Sequence, residues 1–458
     1  MKKFERLRHI RYFSHSLRTL PTQYSSADTN RLSLVHFCVQ SLDILNCLPC
    51  DTTDELICGT VGEDVYVNRE EIVEWIYGLK TVPTTTDEDS NESSCVIGAG
   101  FKGSTYLGPI NTNNNDDSSS SNDDKIHNYD HSHIAMTYVA LCTLQALGDD
   151  LSRIDKHAIL STLRGLQKSN GSFVALSPTI AATTNKDDVE AEDDCDLRFM
   201  YAAIAVWYIL TSNHNENEEG EDHNHDHNEQ YINIETATQY ILSCKSYEGA
   251  LGLTPGREGH GGSTFCGIAS LYLLGVLDDV MEKEELKGWR EELIYWCVMR
   301  QKSLMKKIVN NDDNDDDNNG YYVQEEEQQP AGMVGRPNKK EDTCYSYWIG
   351  GTLHLLSSSH LIDGWALREY VLKCQSPYGG FGKVVGAMPD LLHSFYSMAW
   401  LTLSSEDGCC DEDEENENEG NDENNEVYES EMRIQVRESI GKLSKLDCAL
   451  GMCAKRTR

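Results

Sequence analysis

The chain has 458 residues, which is long enough for two or three average domains or for one large all-helical domain. Its net charge of −37 argues against nucleic acid as a partner or substrate, because phosphate backbones are themselves anionic. No apolar run reaches the ~18–20 residues that span a bilayer, so we expect no membrane span.

The acidic charge is concentrated in four windows that contain no Lys or Arg. They hold 31 of the 76 acidic residues, which leaves about −6 on the rest of the chain. These windows are residues 116–124, 216–229, 312–327 and 406–426. Their Asn/Asp/Glu/Ser composition is typical of disordered loops, and we interpret them as spacers rather than binding tails. We therefore expect a single domain over residues 1–458 that carries acidic low-complexity inserts near 111–125, 213–230, 310–329 and 405–428.

The N-terminus and the cysteines indicate a cytoplasmic protein. The opening stretch "MKKFERLRHIRYF" lacks the apolar segment and cleavage site of a secretory signal. The sixteen cysteines are scattered, many within apolar helical patterns, as reduced buried thiols are. Cys47 and Cys50 form one CxxC, but no second pair follows at zinc-ribbon spacing, so we interpret both as structural.

From about residue 130 onward one unit recurs along the chain: a helix, a glycine-containing turn, and a polar residue that opens a second, apolar helix. The turns read "LQKSNGSF" (166–173), "SCKSYEGAL" (243–251) and "KCQSPYGGF" (373–381), with "AGMVG" (331–335) as a divergent version. The apolar helices are predicted at 133–148, 196–210, 260–275, 342–356 and 390–403. The turn glycines are expected to take positive φ.

The fold class follows from the period of these segments. In the fourth one, the helix-period positions i, i+3, i+4, i+7, i+8 and i+11 from Tyr345 are apolar or aromatic except for Thr352 at i+7, and no segment alternates with period two. We therefore predict an all-α chain of repeated helical hairpins. Such hairpins could form an open solenoid or a closed α/α barrel, and periodicity alone does not choose between them.

The polar residues at the helix openings favour a closed barrel, because His260, Asp342 and His393 would then converge around one mouth. Asp342 and Cys344 lie two residues apart, and His393 could bring an imidazole from the next repeat. One carboxylate, one thiolate and one imidazole make three zinc ligands and leave the fourth position open, as in catalytic sites. The alternative is a helix N-cap, a core thiol and a core histidine.

Cations stand beside the metal-type residues, within "GRPNKKEDTCYSYW" (335–348). Arg336 and Lys339 lie just before a helix start, where backbone N–H groups favour anions. His260 is followed by Gly261 and Gly262, which allow a ligand to approach the backbone, and Tyr345 can donate a hydrogen bond. These residues predict a diphosphate pocket. The alternative, a solvated cationic loop, leaves the neighbouring metal-type residues unexplained.

At these motifs the sequence resembles the β subunits of protein prenyltransferases. The resemblance rests on "GRPNKKEDTCYSYW", "HGGSTFCG" (260–267), "GGFGK" with "PDLLH" (379–393) and "LPTQYSSADTNRL" (20–32), and it covers almost the whole chain apart from the inserts. "GFKGSTYLG" (100–108), "HIAMTYVAL" (133–141) and "LGDDLSR" (147–153) are similar to the geranylgeranyltransferase type I branch.

The resemblance implies an α6–α6 barrel, one bound zinc, and transfer of a geranylgeranyl group from geranylgeranyl diphosphate to the cysteine of a C-terminal CaaX box. It implies an obligate helical α subunit, shared with farnesyltransferase, and Rho-, Rac- and Rap-like small GTPases as protein substrates, commonly with Leu last. The substrate thiol would lose its proton at the metal and attack C1 of the diphosphate.

Residue roles implied by the resemblance follow the matching motifs. The zinc ligands would be Asp342, Cys344 and His393. The diphosphate would meet His260, Arg336, Lys339 and Tyr345, and the isoprenoid would run along Arg198, Tyr201, Cys266 and Trp348. The CaaX peptide would contact His133, Ala135, Phe199, Trp348 and Leu392. Lys383 stands where farnesyltransferases are expected to hold a magnesium-binding Asp, so Mg²⁺ is not expected to be required.

Four alternative functions fit the sequence less well. A farnesyltransferase β subunit is expected to carry Trp near position 33 and Tyr at 392, where this chain has Ser33 and Leu392. A Rab geranylgeranyltransferase β subunit is expected to have a different sequence around "RPNK" (336–339). A terpene cyclase needs an acid motif that "EAEDDCDLR" (190–198) does not match. A non-catalytic helical scaffold would leave the zinc and phosphate residues idle.

Overall fold

A computed structural model of the chain describes ten segments. They are residues 2–48, 67–81, 84–85, 96–105, 131–176, 195–212, 231–302, 331–406, 436 and 440–454. The predicted acidic inserts, except for Ser405 and Glu406, lie outside the described residues, as does Cys50.

Helices dominate the described part of the chain. The α-helices are α1 (Arg6–Arg18), α2 (Arg31–Ile44), α3 (Arg69–Tyr77), α4 (Ile134–Ala146), α5 (Lys156–Leu166), α6 (Leu197–Ser212), α7 (Ile234–Ser243), α8 (Gly261–Leu273), α9 (Leu277–Glu282), α10 (Trp289–Val298), α11 (Cys344–Leu355), α12 (Gly364–Lys373) and α13 (Leu391–Glu406). Short 3₁₀ helices lie at Thr22–Asn30, Glu284–Leu286 and Ser359–Leu361. The five apolar helices predicted from the repeats are all present, and each begins within two residues of its predicted start.

Within the described ranges, the strands form four antiparallel pairs, and each strand has two residues. The pairs are β1 (Lys80–Thr81) with β4 (Gly100–Phe101), β2 (Thr84–Thr85) with β3 (Val96–Ile97), β5 (Phe381–Gly382) with β6 (Pro389–Asp390), and β7 (Leu446–Asp447) with β8 (Met452–Cys453). These short pairs lie in the connections between helices and form no larger sheet. The predicted all-α class is therefore confirmed.

Six inner helices form a closed ring. In chain order α2, α4, α6, α8, α11 and α13 each pack against the next, and α13 packs back against α2. The outer helices α1, α3, α5, α10 and α12 each pack on the inner helix that follows them in sequence. The α/α barrel is therefore confirmed and the open solenoid is excluded, because an open array would leave its first and last inner helices apart.

Local sequence explains why the outer helices differ from the inner helices. Outer helices α3, α5, α7 and α12 begin at an Asn or Asp whose side-chain oxygen accepts a backbone N–H three residues on: Asn68, Asp155, Asn233 and Asp363. Inner helices such as α8 and α13 are apolar on nearly every face because they pack on both neighbours in the ring and on an outer helix.

The turn glycines hold neighbouring hairpins together. Gly171, Gly249 and Gly379 have φ of +89°, +90° and +93°, as the sequence predicts for these turns. A Cβ at Gly171 would lie 2.0 Å from the carbonyl oxygen of Thr236 at the start of α7, and one at Gly249 would lie 2.8 Å from Glu292 in α10. Each turn thus packs directly on the first turn of the next outer helix.

The last turn closes the circle onto the first helix. A Cβ at Gly379 would lie 2.2 Å from the carbonyl oxygen of Arg8 in α1. The Nε2 of His9 lies 2.9 Å from Oε1 of Gln375, and the backbone N–H of Gly380 donates to Nδ1 of His9. Burial lowers the pKa of His9 to about 4, so this imidazole is neutral near pH 7.

The C-terminal segment lies across one end of the ring, where β7 packs on α13 and β8 packs on α2 and α4. None of the helices in the described ranges combines the length and the apolar character that crossing a bilayer requires.

Candidate active site

The inner helices enclose a cavity of about 1630 Å³. Seven of its wall residues form a continuous ring of aromatic contacts, with consecutive ring centroids 5.0–6.2 Å apart, and we call this set the aromatic girdle. Its members are His36, Tyr138, Tyr201, Phe265, Tyr347, Phe395 and Tyr396. Every inner helix contributes at least one member, so the cavity is walled by aromatic surface all round.

Sequence reasoning named one girdle residue, Tyr201, and missed the rest. A signal was available in the repeats. In the five inner helices after α2, the residue five positions after the polar residue that opens the helix is aromatic: His133 precedes Tyr138, Asp196 precedes Tyr201, His260 precedes Phe265, Asp342 precedes Tyr347, and Asp390 precedes Phe395. One and a half helical turns carry the chain from the mouth of the barrel to the girdle.

The girdle is uncharged near neutral pH. Burial lowers the pKa of His36 to about 4, and its Nδ1 lies 3.1 Å from Oγ1 of Thr143. Burial also raises the pKa of Tyr138, Tyr201 and Tyr347 well above the ordinary value of 10. A neutral aromatic wall suits a long hydrocarbon chain.

Three metal-type side chains meet at the start of α11 and α13. One ligand atom each from Asp342, Cys344 and His393 lies within 4.8 Å of the others. The Oδ1 of Asp342 accepts the backbone N–H of Cys344 at 3.0 Å and lies 3.2 Å from Nε2 of His393. The structure therefore brings together the three residues predicted as ligands, and it does so because α11 and α13 are neighbours in the ring.

Asp390 fixes the orientation of His393. Its Oδ2 lies 2.6 Å from Nδ1 of the imidazole, and its Oδ1 accepts the backbone N–H of His393 at 2.9 Å. Carboxylate-to-Nδ1 pairing leaves Nε2 for a metal, which is the usual arrangement around protein zinc. The sequence shows only that Asp390 lies three residues before His393, and it did not predict this contact.

The electrostatics of the cluster fit a cation. Burial raises the pKa of Asp342, but hydrogen bonds to His393 and Cys344 outweigh this effect and hold it at about 2. Burial lowers the pKa of His393, but pairing with Asp342 and Asp390 raises it to about 9. Burial and the neighbouring Asp342 carboxylate raise the pKa of the Cys344 thiol. A protonated imidazole beside carboxylates marks a place where positive charge is stabilised, and the O, S and N donor set fits zinc.

Lys383 adds a fixed positive charge to this cluster. Its Nζ lies 3.2 Å from Oδ2 of Asp342, and its side chain is 60% exposed. The backbone of Thr343 also donates to the carbonyl of Lys383. The ammonium group therefore lies at the edge of the cluster and remains accessible from solvent.

The predicted diphosphate residues are brought partly together. His260 and Arg336 line the cavity, and the Tyr345 hydroxyl lies 2.9 Å from Nε2 of His260. The guanidinium of Arg336 pairs with Glu258 at 2.6 Å, a partner that sequence analysis did not find. Lys339 is exposed.

The two glycines after His260 play different parts. Gly262 lines the cavity, whereas a Cβ at Gly261 would lie 3.0–3.2 Å from Ile349 and Tyr345. Gly261 therefore allows α8 to pack closely on α11 and does not open onto a ligand.

The predicted isoprenoid residues all reach the cavity wall: Ser33, Arg198, Tyr201, Cys266 and Trp348. Arg198 is paired with Asp196, whose Oδ2 lies 2.6 Å from its Nη2, so its charge is already balanced. Of the predicted peptide residues, Ala135 and Trp348 line the cavity. His133 and Phe199 contact each other with ring centroids 5.6 Å apart, and Leu392 is 40% exposed.

Comparisons with known proteins agree with this geometry. The Prenyltransferase alpha-alpha toroid domain family matches residues 4–451. A geranylgeranyl transferase type-1 subunit beta of Arabidopsis thaliana is 33% identical over 411 residues, covering 88% of this chain and 86% of that protein. The protein of the same name from Dictyostelium discoideum is 31% identical over 403 residues, covering 86% and 89%.

Among solved structures, the Candida albicans protein geranylgeranyltransferase-I complexed with GGPP has a similar fold, with a TM-score of 0.63 at 22% identity. The match covers 99% of this chain and 97% of that one. The chain therefore belongs to the prenyltransferase alpha-alpha toroid family and, within it, to the geranylgeranyl transferase type-1 β subunits.

Proposed function

We propose that this chain is the catalytic β subunit of a zinc-dependent protein geranylgeranyltransferase type I. The reaction transfers a geranylgeranyl group from geranylgeranyl diphosphate to the cysteine thiol of a C-terminal CaaX sequence, mainly CaaL. The observation that carries the proposal is the Asp342, Cys344 and His393 cluster, which the Tyr345–His260 contact joins to the aromatic cavity.

Asp342, Cys344 and His393 would hold the zinc ion. Bound there, zinc would supply a coordination position that lowers the pKa of a substrate thiol. Asp390 keeps the His393 imidazole oriented through its 2.6 Å contact with Nδ1.

The cationic side chains and the hydrogen-bond donors of this chain act on the leaving group. Negative charge grows on the diphosphate as its bond to C1 breaks, and His260, Arg336, Lys339, Lys383 and Tyr345 would stabilise that charge. Arg336 must exchange Glu258 for the diphosphate when the substrate binds. Because Lys383 is a fixed cation at the cluster, we propose that the enzyme does not require Mg²⁺.

The cavity supplies positioning. The isoprenoid would lie against Ser33, Tyr201, Cys266 and Trp348, and the CaaX residues would follow His133, Ala135, Phe199, Trp348 and Leu392 at the mouth. Because the cavity would hold both reactants together, the attack of the thiol on the prenyl diphosphate becomes effectively unimolecular. No side chain of this chain needs to form a covalent intermediate.

We further propose an obligate helical α subunit, shared with farnesyltransferase, and Rho-, Rac- or Rap-like small GTPases as protein substrates. The eleven described cysteines are all buried, as reduced thiols of a cytoplasmic protein usually are, and this supports a cytoplasmic location. The closed ring supports a single domain over residues 1–458, whose sequence the acidic inserts interrupt.

The test is transfer of labelled geranylgeranyl to a CaaL peptide by the heterodimer, with zinc content measured on the same samples. Cys344→Ala and His393→Ala are expected to lose zinc and at least 100-fold in transfer rate while keeping their helix content. Cys297→Ala, a buried cysteine of outer helix α10, is the matched control and should retain both. Full transfer by zinc-free Cys344→Ala enzyme would overturn the metal assignment.

A further inference from the structure

The 3₁₀ helix Thr22–Asn30 lies between the loop that follows β4 and the start of α13, and we call it the rim segment. None of its residues is fully buried. At its C-terminal end the backbone N–H of Leu32 donates to the carbonyl of Gly103 at 2.9 Å. Near its N-terminal end the hydroxyl of Tyr24 accepts the backbone N–H of Leu391 at 2.8 Å. The rim segment is therefore fixed at both ends.

The Leu391 N–H lies inside the sequence that forms the metal cluster, between Asp390 and His393. Leu391 is the first residue of α13, so its N–H has no acceptor within the helix, and its side chain is fully buried. A buried backbone N–H without an acceptor is costly. The Tyr24 hydroxyl supplies the acceptor from 367 positions away in the sequence, and it thereby fixes the start of α13.

This contact completes a frame around Asp390. On one side Asp390 pairs with Phe381 across β5 and β6, and the N–H of Phe381 donates to Oγ of Ser394 at 2.8 Å. On the other side Tyr24 holds the next residue. Asp390 in turn contacts both Nδ1 and the backbone N–H of His393. The backbone of Asp390 is thus held from two directions, and the imidazole follows its position.

Tyr24 is a neutral phenol at physiological pH. Burial raises its pKa, so the hydroxyl keeps its proton, and its oxygen is free to accept the N–H. Burial, and after it the neighbouring Tyr24, also raise the pKa of Tyr12 in outer helix α1. Two uncharged tyrosines therefore lie side by side at the start of α13.

We propose that Tyr24 is a positioning residue of the metal centre. Its hydroxyl holds the first turn of α13 so that Asp390 and His393 keep the geometry that binds the metal. The inference rests on the proposed function, because it concerns the proposed zinc site, and it assigns a role to a residue that the proposed function leaves unassigned. Tyr24 acts through the backbone of Leu391, and it is not among the residues that line the cavity.

The first experiment measures zinc affinity of the co-expressed heterodimer by competition with a chelator, without peptide or prenyl diphosphate. Tyr24→Phe removes one oxygen atom and keeps the ring. We expect about a five-fold loss of zinc affinity, smaller than the roughly 10–100-fold loss typical of removing a direct partner of a metal ligand. A zinc affinity equal to that of the wild type would overturn the proposal.

A spectroscopic signature separates positioning from loss of stability. In the Co²⁺-substituted heterodimer, visible absorption reports the arrangement of the oxygen, sulfur and nitrogen ligands around the ion. Tyr24→Phe should shift or broaden these bands, because the imidazole is held less firmly. A variant that is less stable but has the wild-type cobalt spectrum would show that Tyr24 only supports the fold.

Steady-state kinetics give a second separation. With a CaaL peptide, kcat should fall in Tyr24→Phe, while KM for geranylgeranyl diphosphate should stay at the wild-type value because no cavity wall residue is changed. The opposite pattern, a raised KM for the diphosphate with unchanged kcat, would place Tyr24 in substrate binding and contradict the positioning role.

Tyr77→Phe is the matched control. Tyr77 is buried in outer helix α3, and its hydroxyl donates to Asp149 at 2.7 Å. This variant loses a tyrosine hydrogen bond far from α13, so zinc affinity and the cobalt spectrum should not change. If Tyr77→Phe weakens zinc binding as much as Tyr24→Phe does, general loosening explains the effect and Tyr24 has no special role.

A milder variant covers poor folding of Tyr24→Phe. Tyr12→Phe leaves the contact between Tyr24 and Leu391 in place but removes the neighbouring hydroxyl. Hydrogen exchange followed by mass spectrometry reports on the amides of residues 389–395, which should exchange faster in this variant, with a smaller loss of zinc affinity. Unchanged exchange together with unchanged zinc affinity would overturn the proposal.

The wild-type heterodimer separates this proposal from the proposed function. If the wild type does not bind zinc, the proposed zinc-dependent function fails. If the wild type binds zinc and Tyr24→Phe cannot be distinguished from it in affinity and cobalt spectrum, only the role of Tyr24 fails.

Discussion

The carboxylate of Asp390 is the residue-scale feature on which the proposed metal centre depends, because it contacts both Nδ1 and the backbone N–H of His393. Asp390→Asn keeps an oxygen for the backbone contact but replaces the Nδ1 acceptor with an amide that cannot accept. We expect zinc affinity to fall about 10–100-fold, the usual cost of losing such a partner. Competition with a zinc chelator measures the change.

The matched control for this substitution is Asp363→Asn. Asp363 accepts the N–H of Ala366 at the start of outer helix α12, and Asn caps helices as well as Asp does. Zinc affinity should not change in this variant. If Asp390→Asn also leaves zinc affinity unchanged, Asp390 has no role in orienting His393.

Lys383 is the second residue-scale prediction. Its Nζ lies 3.2 Å from the Asp342 carboxylate, so a positive charge is already in place where the leaving diphosphate would sit. Wild-type turnover should therefore be nearly independent of Mg²⁺. Lys383→Asp should slow turnover at least ten-fold and make it respond to millimolar Mg²⁺, because the new carboxylate can hold the ion.

Lys383→Ala separates charge loss from ion binding. It should be slowed without gaining a Mg²⁺ response, since alanine offers no ligand. Steady-state rates measured with chelator and across a Mg²⁺ series decide the matter. A wild-type enzyme that loses most of its rate when stripped of Mg²⁺ contradicts this assignment.

Individual residues also mark where sequence reasoning stops. The Asp342, Cys344 and His393 set was predictable because its residue types and its spacing indicate metal chemistry. The Glu258 partner of Arg336 was not, because the two lie 78 positions apart and nothing local distinguishes Glu258 from other surface acids. Tyr345 and His260 were predicted for one pocket, but their direct contact was not, because they lie 85 positions apart.

At the scale of elements, the inner helices combine a polar mouth with an aromatic girdle. Helix starts were predicted within two residues because polar caps and apolar period agree along each segment. The side of the helix that faces the cavity was not predicted, because inner helices are apolar on most faces and their period does not favour one.

Ser33 on inner helix α2 tests the floor of the proposed isoprenoid pocket. Its side chain lines the cavity, and its Oγ lies 3.7 Å from the sulfur of Met136 on α4. An added isoprene unit buries roughly 100 Å² of apolar surface, worth about 2–3 kcal/mol at ~25 cal/mol/Å². An indole at position 33 would fill that space, so Ser33→Trp should shift preference toward farnesyl diphosphate by at least ten-fold.

The measurement for Ser33→Trp is competition between equal farnesyl and geranylgeranyl diphosphates with one CaaX peptide. The control is Ser152→Trp. Ser152 is exposed, so a tryptophan there disturbs no packing and should keep the wild-type preference, whereas the fully buried Ser41 would not tolerate one. An unchanged preference in folded Ser33→Trp enzyme removes Ser33 from the chain-length site.

At the scale of the whole molecule, closure depends on the turn that meets the first helix. Gly379→Ala should destabilise the protein by about 2 kcal/mol more than Gly386→Ala, which is the usual cost of forcing extra atoms into a packed site. Both glycines have positive φ, +93° and +81°, so both variants carry the same type of backbone strain. Only Gly379 has a neighbour in the way, the carbonyl oxygen of Arg8 at 2.2 Å, whereas a Cβ at Gly386 meets nothing within 4 Å.

Urea unfolding of the two variants measures this difference, since the strain common to both cancels. Fluorescence of the tryptophans near the ring and circular dichroism should report the same midpoint if closure and folding are one event. Equal midpoints for the two variants would contradict the role of Gly379 in closing the ring.

The sequence by itself determined the all-α class, the repeated hairpins, the positive-φ turn glycines and the zinc-type triad. These features depend on residue type and on spacings of a few positions, which local physics fixes. Tertiary structure alone decided that the ring closes through His9, Gln375 and Gly379, that Arg336 is paired, and that three tyrosine hydroxyls donate to the backbone carbonyls of residues 448, 449 and 450. Those contacts join residues from 78 to more than 360 positions apart, and only packing of the complete ring brings them within hydrogen-bond distance.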